Sequence, residues 1–181
     1  YRRQRQMCIR DRYYIGWYIA DEDKDKFVGN VPGNLKMHYV VDQLKRSGHT
    51  PEIISFVKKK GSTGVYMNIN KTSQECKLTY LTGIRGNSRI LKKMDFLIKK
   101  IIFTYYFLFN FSAEDTLVLY HSVELTLLVA KLKRLVKRNV IIEVEEIYGY
   151  SAVTDRPWVE DEIDSIKKMD LPVSYTHLTL P

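Results

Sequence analysis

The chain has 181 residues, of which 45% are apolar and 28% are charged, and its formal net charge at pH 7 is +8. This amount of apolar sequence is sufficient for one domain with a core built around a single sheet. The longest apolar run covers residues 101–111 and is too short to span a bilayer, which excludes a transmembrane helix there.

The two ends of the chain encode each other on opposite DNA strands. Residues 2–11 can be back-translated into a DNA sequence whose complementary strand reads Val-Ser-Tyr-Thr-His-Leu-Thr-Leu-Pro, which is residues 173–181. This inverted repeat resembles the transposase-end adaptor of sequencing libraries. We therefore expect residues 1–12 and 172–181 to be adaptor-derived tails, which carry no information about the fold. The native polypeptide is expected to be residues 13–171, cut at its C-terminal end.

Setting the tails aside changes both the charge and the cysteine content. The first twelve residues contain five arginines and one aspartate, so the rest of the chain carries a formal charge of +4. This is ordinary for a globular domain, and it weakens a nucleic-acid-binding interpretation. Cys76 is then the single cysteine. It can form no internal disulfide and has no partner at metal-ligand spacing, which favours a reducing, cytoplasmic compartment and no metal site.

The first third of the native sequence predicts a β-loop-α-β unit. Residues 14–20 are apolar and aromatic and end at an acidic segment, as a buried strand would. Apolar residues then recur at helical spacing over residues 37–44, with Asn34 as the predicted N-cap and Gly48 as the predicted C′ residue. Residues 51–57 predict a second strand, parallel to the first and reached by a right-handed crossover.

The middle of the chain predicts a hairpin and a long helix. Residues 65–69 and 77–84 are short β-prone runs, which form either a hairpin or two sequential strands. Residues 88–110 have the spacing of a helix, with lysines away from its apolar side. The apolar residues predicted to share the buried side of this helix are Ile90, Leu91, Met94, Leu97, Ile98, Ile101 and Ile102.

The last third alternates strands with helices. Residues 116–120 and 140–144 are continuous apolar strands of the kind found in the middle of a parallel sheet. Residues 125–135 and 159–169 predict the helices that follow them. This alternation predicts an α/β fold: a Rossmann-like, open and mostly parallel sheet with helices on both faces.

Ligands of such sheets bind outside the carboxyl ends of the strands, and three segments are predicted to meet there. They are the connection after the first strand and the residues that end the two apolar strands of the last third. The candidate site residues are Gly29, Gly33, Asn34, His121, Ser122, Glu143, Glu145 and Glu146.

Each segment also has a purely structural interpretation. Residues 29–34 lack a dinucleotide fingerprint, so they are either a plain connection or a helix start whose N–H groups contact an anion or a sugar hydroxyl. His121 is either a satisfied structural group or a hydrogen-bonding partner of a polar ligand. Glu143 and Glu145 lie on one side of an extended chain, and Glu146 lies on the other. Burying these carboxylates is costly, so each needs a salt bridge or a ligand hydroxyl.

Four ordered motifs together resemble a known family. They are Tyr-Ile-Gly-Trp-Tyr at 14–18, the helix at 36–48, Leu-Val-Leu-Tyr-His-Ser at 117–122 and Ile-Glu-Val-Glu-Glu-Ile-Tyr at 142–148. This set resembles the N-terminal half of bacterial family 4 (group 1) glycosyltransferases, which have the two-domain GT-B fold. By this resemblance, His121 takes the place of the cleft histidine that contacts the reacting sugar. The 29–33 loop then corresponds to the loop that closes over the donor phosphates and the acceptor.

The resemblance implies a retaining transferase that moves a hexose from a nucleotide-diphosphate sugar to a carbohydrate or lipid-linked acceptor, for surface polysaccharide synthesis. The donor-binding half is absent, so the fragment is expected to be inactive. No cofactor is expected, because the nucleotide sugar is a substrate. Residues 99–111 favour a core helix, and a membrane-surface helix with peripheral membrane contact is the alternative. A stand-alone α/β nucleotide- or ligand-binding module without catalysis is the alternative function.

Overall fold

The computed structural model describes residues 12–72, 76–144 and 159–174. Its main feature is a seven-stranded sheet in the order β11-β10-β9-β1-β3-β7-β6, in which every neighbouring pair is parallel except β6 and β7. The strands of this sheet are β1 (Arg12–Gly16), β3 (Glu52–Ser55), β6 (Ile69–Thr72), β7 (Lys77–Tyr80), β9 (Thr116–Tyr120), β10 (Asn139–Val144) and β11 (Leu171–Ser174). The predicted α/β fold with a mostly parallel sheet is therefore confirmed.

Four helices and two small strand pairs complete the described chain. The helices are α1 (Val31–Arg46), α2 (Arg89–Tyr105), α3 (Val123–Leu132) and α4 (Val159–Lys167). A single π-helical turn, Tyr106–Asn110, extends α2. The antiparallel pairs are β2 (Phe27–Val28) with β4 (Lys58–Lys59) and β5 (Gly64–Tyr66) with β8 (Gly83–Arg85). The two predicted β-prone runs do not pair as one hairpin. The run at 65–69 contributes to β5, which pairs with β8, and the strand that pairs with β7 is β6, which lies mostly in the segment predicted as the connection.

Helices cover both faces of the sheet because neighbouring residues in a strand point in opposite directions. Tyr14 of β1 and Ile53 of β3 belong to a core with Met37 of α1. Their neighbours, Ile15 and Ile54, belong to a second core on the other face, which α2, α3 and the end of α4 cover. Of the helices in the described ranges, α1 is the one that packs against the face on which Tyr14 lies.

The first helix begins earlier than the sequence predicted. Asn30, not Asn34, occupies the N-cap position, and Asn34 lies inside the first turns. Pro32 favours this early start because its ring fixes a helical φ and its missing N–H needs no partner there. The predicted 29–34 loop was therefore too long. The predicted end is confirmed, since Gly48 follows the helix with φ +79°, a conformation that favours glycine.

The long helix α2 is rotated relative to the predicted orientation. Of the seven residues predicted on its buried side, four are exposed, namely Ile90, Met94, Leu97 and Ile101. Leu91, Ile98 and Ile102 are half-buried, and Ile102 packs against the core. The fully buried side carries Asp95, Lys99 and Phe103. The prediction was wrong because it assumed that apolar residues alone could face the sheet. Lys99 and Asp95 pair across one helical turn at 2.7 Å, which allows both to be buried.

Strand β11 includes Pro172, Val173 and Ser174, which the sequence analysis assigned to an adaptor-derived tail. It pairs in parallel with β10 at the edge of the sheet. Strand pairing uses backbone groups, so an open sheet edge accepts any β-prone segment and this pairing does not reveal the origin of the residues. Among the described residues, no helix is long and apolar enough to cross a membrane.

Candidate functional site

Glu143 is the centre of a charged cluster at the carboxyl ends of β1, β9 and β10. Its carboxylate is buried, and its Oε2 atom accepts a hydrogen bond of 3.0 Å from the hydroxyl of Tyr14. The Nζ atom of Lys36, on α1, lies 3.5 Å from Oε1. The side chain of Lys36 is 26% exposed, so one end of the cluster reaches solvent. Three segments that are distant in sequence therefore meet at this carboxylate.

Two glycines make room for Tyr120, which lies between β1 and α1 beside this cluster. A Cβ atom on Gly16 would lie 2.9 Å from Cβ of Tyr120 and 3.1 Å from the sulfur of Met37. A Cβ atom on Gly33 would lie 3.0 Å from the hydroxyl of Tyr120. Because Tyr120 is the register partner of Glu143, these contacts place the start of α1 next to the charged cluster.

His121 follows β9 and is buried on the same edge of the sheet. Its backbone N–H donates to the carbonyl of Glu143 at 3.2 Å. Its Nε2 atom lies 3.3 Å from Oε1 of Glu162, on α4, and neither side chain is exposed. A carboxylate beside one ring nitrogen holds an imidazole in a fixed orientation. The predicted contact between His121 and a sugar stays a prediction.

Asn34 and Ser122 form hydrogen bonds that order the backbone. The side chain of Asn34 accepts from the N–H of Ile19 at 2.8 Å and donates to the carbonyl of Ile19 at 3.0 Å. Ser122 is the N-cap of α3, and its hydroxyl accepts from the N–H of Leu125 at 3.3 Å. Both residues therefore position the elements of the site. Of the three predicted carboxylates, Glu145 and Glu146 lie outside the described residues.

A cavity of about 550 Å³ lies on the other side of α1, and Gly29 and Asn34 line it. This volume is in the range of small-molecule sites. His38 also lines the cavity, with Nε2 2.8 Å from the carbonyl of Ile19 and Nδ1 3.3 Å from the hydroxyl of Tyr18. Burial raises the pKa of Tyr18, so its phenol stays neutral and can donate to Nδ1. The predicted residues thus divide into separate groups. Gly33 and Glu143 lie on the cluster side of α1. His121 pairs with Glu162 of α4, a helix that packs against the core on the other face of the sheet.

Sequence reasoning missed three residues around Glu143, which are Tyr14, Lys36 and Tyr120. It also missed Glu162, the partner of His121. The alternation of β-strand side chains could have assigned Tyr14 and Glu143 to one face, because Ile15 and Ile142 share the opposite core. Nothing in the sequence pairs α4 with His121. In the described ranges, no three His, Cys, Asp or Glu side chains lie close enough together to hold a metal ion.

Comparison with known proteins supports the fold. No family model and no curated protein matches the chain. The crystal structure of α,α-trehalose 6-phosphate synthase from Burkholderia multivorans, a GT-B glycosyltransferase, is similar with a TM-score of 0.55 at 10% sequence identity. The similarity covers 91% of this chain and 39% of that one, so this chain spans well under half the length of that enzyme. The chain therefore shares a Rossmann-like α/β fold with part of that enzyme.

Proposed function

We propose that the chain is the N-terminal, acceptor-side half of a GT-B glycosyltransferase. The parent protein transfers a hexose from a nucleotide-diphosphate sugar to a carbohydrate or lipid-linked acceptor, with retention of configuration, in surface polysaccharide synthesis. The observation that carries this proposal is the convergence of β1, α1 and β10 on the buried Glu143, which Tyr14 and Lys36 contact from two different elements. The fold similarity to a trehalose 6-phosphate synthase supports it.

The charges of the cluster suit a polyhydroxylated ligand. Glu143 accepts hydrogen bonds, and a sugar hydroxyl can take the position of a donor on its carboxylate. Lys36 lies at the solvent end of the cluster, where its ammonium group can contact a phosphate or a sugar oxygen. His121, oriented by Glu162, supplies a hydrogen-bonding group beside the reacting sugar. In this proposal, Glu145 and Glu146 supply two further carboxylates for the ligand.

One wall of a cleft does not suffice for transfer. Catalysis requires that donor and acceptor be held together and that charge on the departing diphosphate be stabilised. The donor-binding groups belong to the second half of the parent protein in this proposal. We therefore expect the 181-residue chain to bind acceptor sugars weakly and to transfer none.

The decisive experiment uses the complete gene product, expressed with the coding sequence that flanks this segment. Release of nucleoside diphosphate is measured with a panel of nucleotide hexoses and with carbohydrate or lipid-linked acceptors. Glu143→Gln is expected to lower kcat/KM about 100-fold or more, because it weakens a preorganised charge in the cleft. Glu52→Gln, at the opposite end of the sheet, is the matched control and should change little. Equal activity of the two variants, or no turnover of any donor, contradicts the proposal.

The cavity beside Gly29 and His38 favours one other function, a nucleotide- or ligand-binding module that does no chemistry. Titration calorimetry of the 181-residue chain with nucleotides distinguishes the two. Tight nucleotide binding that Asn30→Leu abolishes and Glu143→Gln leaves unchanged would favour the binding module.

A further inference from the structure

Helix α2 and its terminal π-helical turn carry a continuous row of exposed apolar side chains. We call this row the outer stripe. Its members are Ile90, Met94, Leu97, Ile101, Tyr105 and Phe109, and each is at least 45% exposed. Their spacing of three and four residues keeps them on one side of the helix, opposite Asp95, Lys99 and Phe103. At the rise of an α-helix the row is about 30 Å long. A row of this size on a protein surface marks an interaction site.

The charges beside the outer stripe are all positive. Arg89, Lys93 and Lys100 follow one border of the stripe at helical spacing. Residues 89–111 contain a single acidic residue, Asp95, and it is buried against Lys99 on the opposite side. The surface that α2 presents to solvent is therefore apolar in the middle, cationic along one edge and without an exposed carboxylate.

A second group of cations lies at the far end of the outer stripe. The guanidinium group of Arg138 donates to the carbonyl of Leu108 at 3.3 Å, which places the segment after α3 beside the π-helical turn. Arg134 and Lys137 of this segment are exposed, and so is Leu135 between them. The cationic border thus continues past Phe109, where the stripe carries its two aromatic residues.

We propose that the outer stripe docks the protein on an anionic lipid surface. An amphipathic helix with a cationic border inserts its apolar side at the boundary between headgroups and acyl chains, and anionic headgroups neutralise its cations. Tyr105 suits this boundary because its ring is apolar and its hydroxyl is polar, and Phe109 adds apolar area next to it. Antiparallel pairing of two copies, about a two-fold axis that crosses the helix, would instead bring the two cationic borders together. This inference does not depend on the proposed transfer reaction.

The test measures binding of the 181-residue chain to vesicles of phosphatidylcholine with and without phosphatidylglycerol. Arg2, Arg3, Arg5 and Arg10 are replaced by Gln in every protein, because cations in the first residues would bind anionic lipid by themselves. Leu97→Ser/Ile101→Ser removes two members of the outer stripe. Val65→Ser/Met67→Ser is the matched control, since these residues are equally exposed and lie elsewhere. Circular dichroism and thermal unfolding check that all variants fold alike.

The reference protein is the chain with the four Arg→Gln substitutions and no other change. We expect it to bind the vesicles that contain phosphatidylglycerol and not to bind the vesicles of phosphatidylcholine alone. Leu97→Ser/Ile101→Ser should lower its partition coefficient about tenfold or more, and the control should keep it. Raising the salt concentration from ~0.1 M to ~0.5 M should weaken binding, because the cationic border is exposed. Equal binding of the stripe variant and the control overturns the proposal. So does a reference protein that binds neither kind of vesicle, or one whose stripe mediates a dimer in solution and binds no lipid.

Discussion

Two acid–lysine pairs lie at the carboxyl ends of the central strands, one beside β3 and the other beside β10. In the first, which we call the closed pair, Lys99 is fully buried and donates to Asp95 at 2.7 Å and to the carbonyls of Phe56 and Val57 at 3.2 and 2.8 Å. These three bonds use all the protons of its ammonium group. Burial lowers the pKa of Lys99, and Asp95 opposes that shift.

The second pair, Lys36 and Glu143, is the open pair. The distance from Nζ of Lys36 to Oε1 of Glu143 is longer, at 3.5 Å, and the lysine side chain is 26% exposed. The carboxylate is buried against Tyr14. The closed pair fixes α2 to the end of β3, whereas the open pair leaves its lysine partly in solvent beside a buried carboxylate. In the proposed function, this lysine exchanges its partner for a ligand.

Lys99→Met should cause the largest loss of stability. It leaves Asp95 buried without its cation, and removing one member of a buried pair costs about 3–5 kcal/mol of unfolding free energy. Urea unfolding measures the effect, with Lys92→Met on the exposed side of the same helix as the control. A loss of unfolding free energy no larger than that of the control would mean that Lys99 and Asp95 do not form a buried pair in solution.

Tyr14→Phe should have the next largest effect. It removes the hydroxyl that donates to Glu143 and leaves the shape of the core unchanged, so the expected cost is about 1.5–3 kcal/mol, as for other hydrogen bonds to charged groups. Tyr39→Phe, on the exposed side of α1, is the control in the same unfolding experiment. Identical midpoints for the two variants would rule out a buried Tyr14–Glu143 bond.

Gly16→Ala tests the packing beneath the open pair. The added methyl group would lie 2.9 Å from Cβ of Tyr120, which is fixed to the backbone, so overpacking should cost about 1–3 kcal/mol. Gly29→Ala is the control because its methyl group meets the flexible end of Ile19. Thermal unfolding compares the two, and a smaller loss for Gly16→Ala than for the control would contradict the close contact.

Lys36→Met should have the smallest effect on stability. The lysine is partly solvated and Glu143 keeps its bond to Tyr14, so we expect a change of about 0–1 kcal/mol. The unfolding free energies of Lys36→Met and Lys99→Met, both measured in urea, compare the two pairs directly. A cost equal to that of Lys99→Met would show that Lys36 is structural and that the second pair is closed as well.

The sheet could be predicted because its strands are continuous apolar runs separated by helices. The orientation of α2 could not be predicted, since counting apolar residues does not show that Lys99 reaches two carbonyls at the end of β3. The sequence also predicted that Glu143 needs a partner. It did not identify Tyr14, which is 129 residues away and becomes a neighbour only when the strands pair.

The two hydrogen bonds between Asn34 and Ile19 limit the relative motion of two segments. They join the early turns of α1 to the segment that follows β1, so these two pieces of chain translate and rotate together. In the proposed function, a rearrangement that brings a second domain or a ligand against this edge must therefore pivot elsewhere along the chain. Asn34→Ala should let α1 and the segment after β1 move independently. Faster hydrogen exchange at the Ile19 amide would reveal this motion.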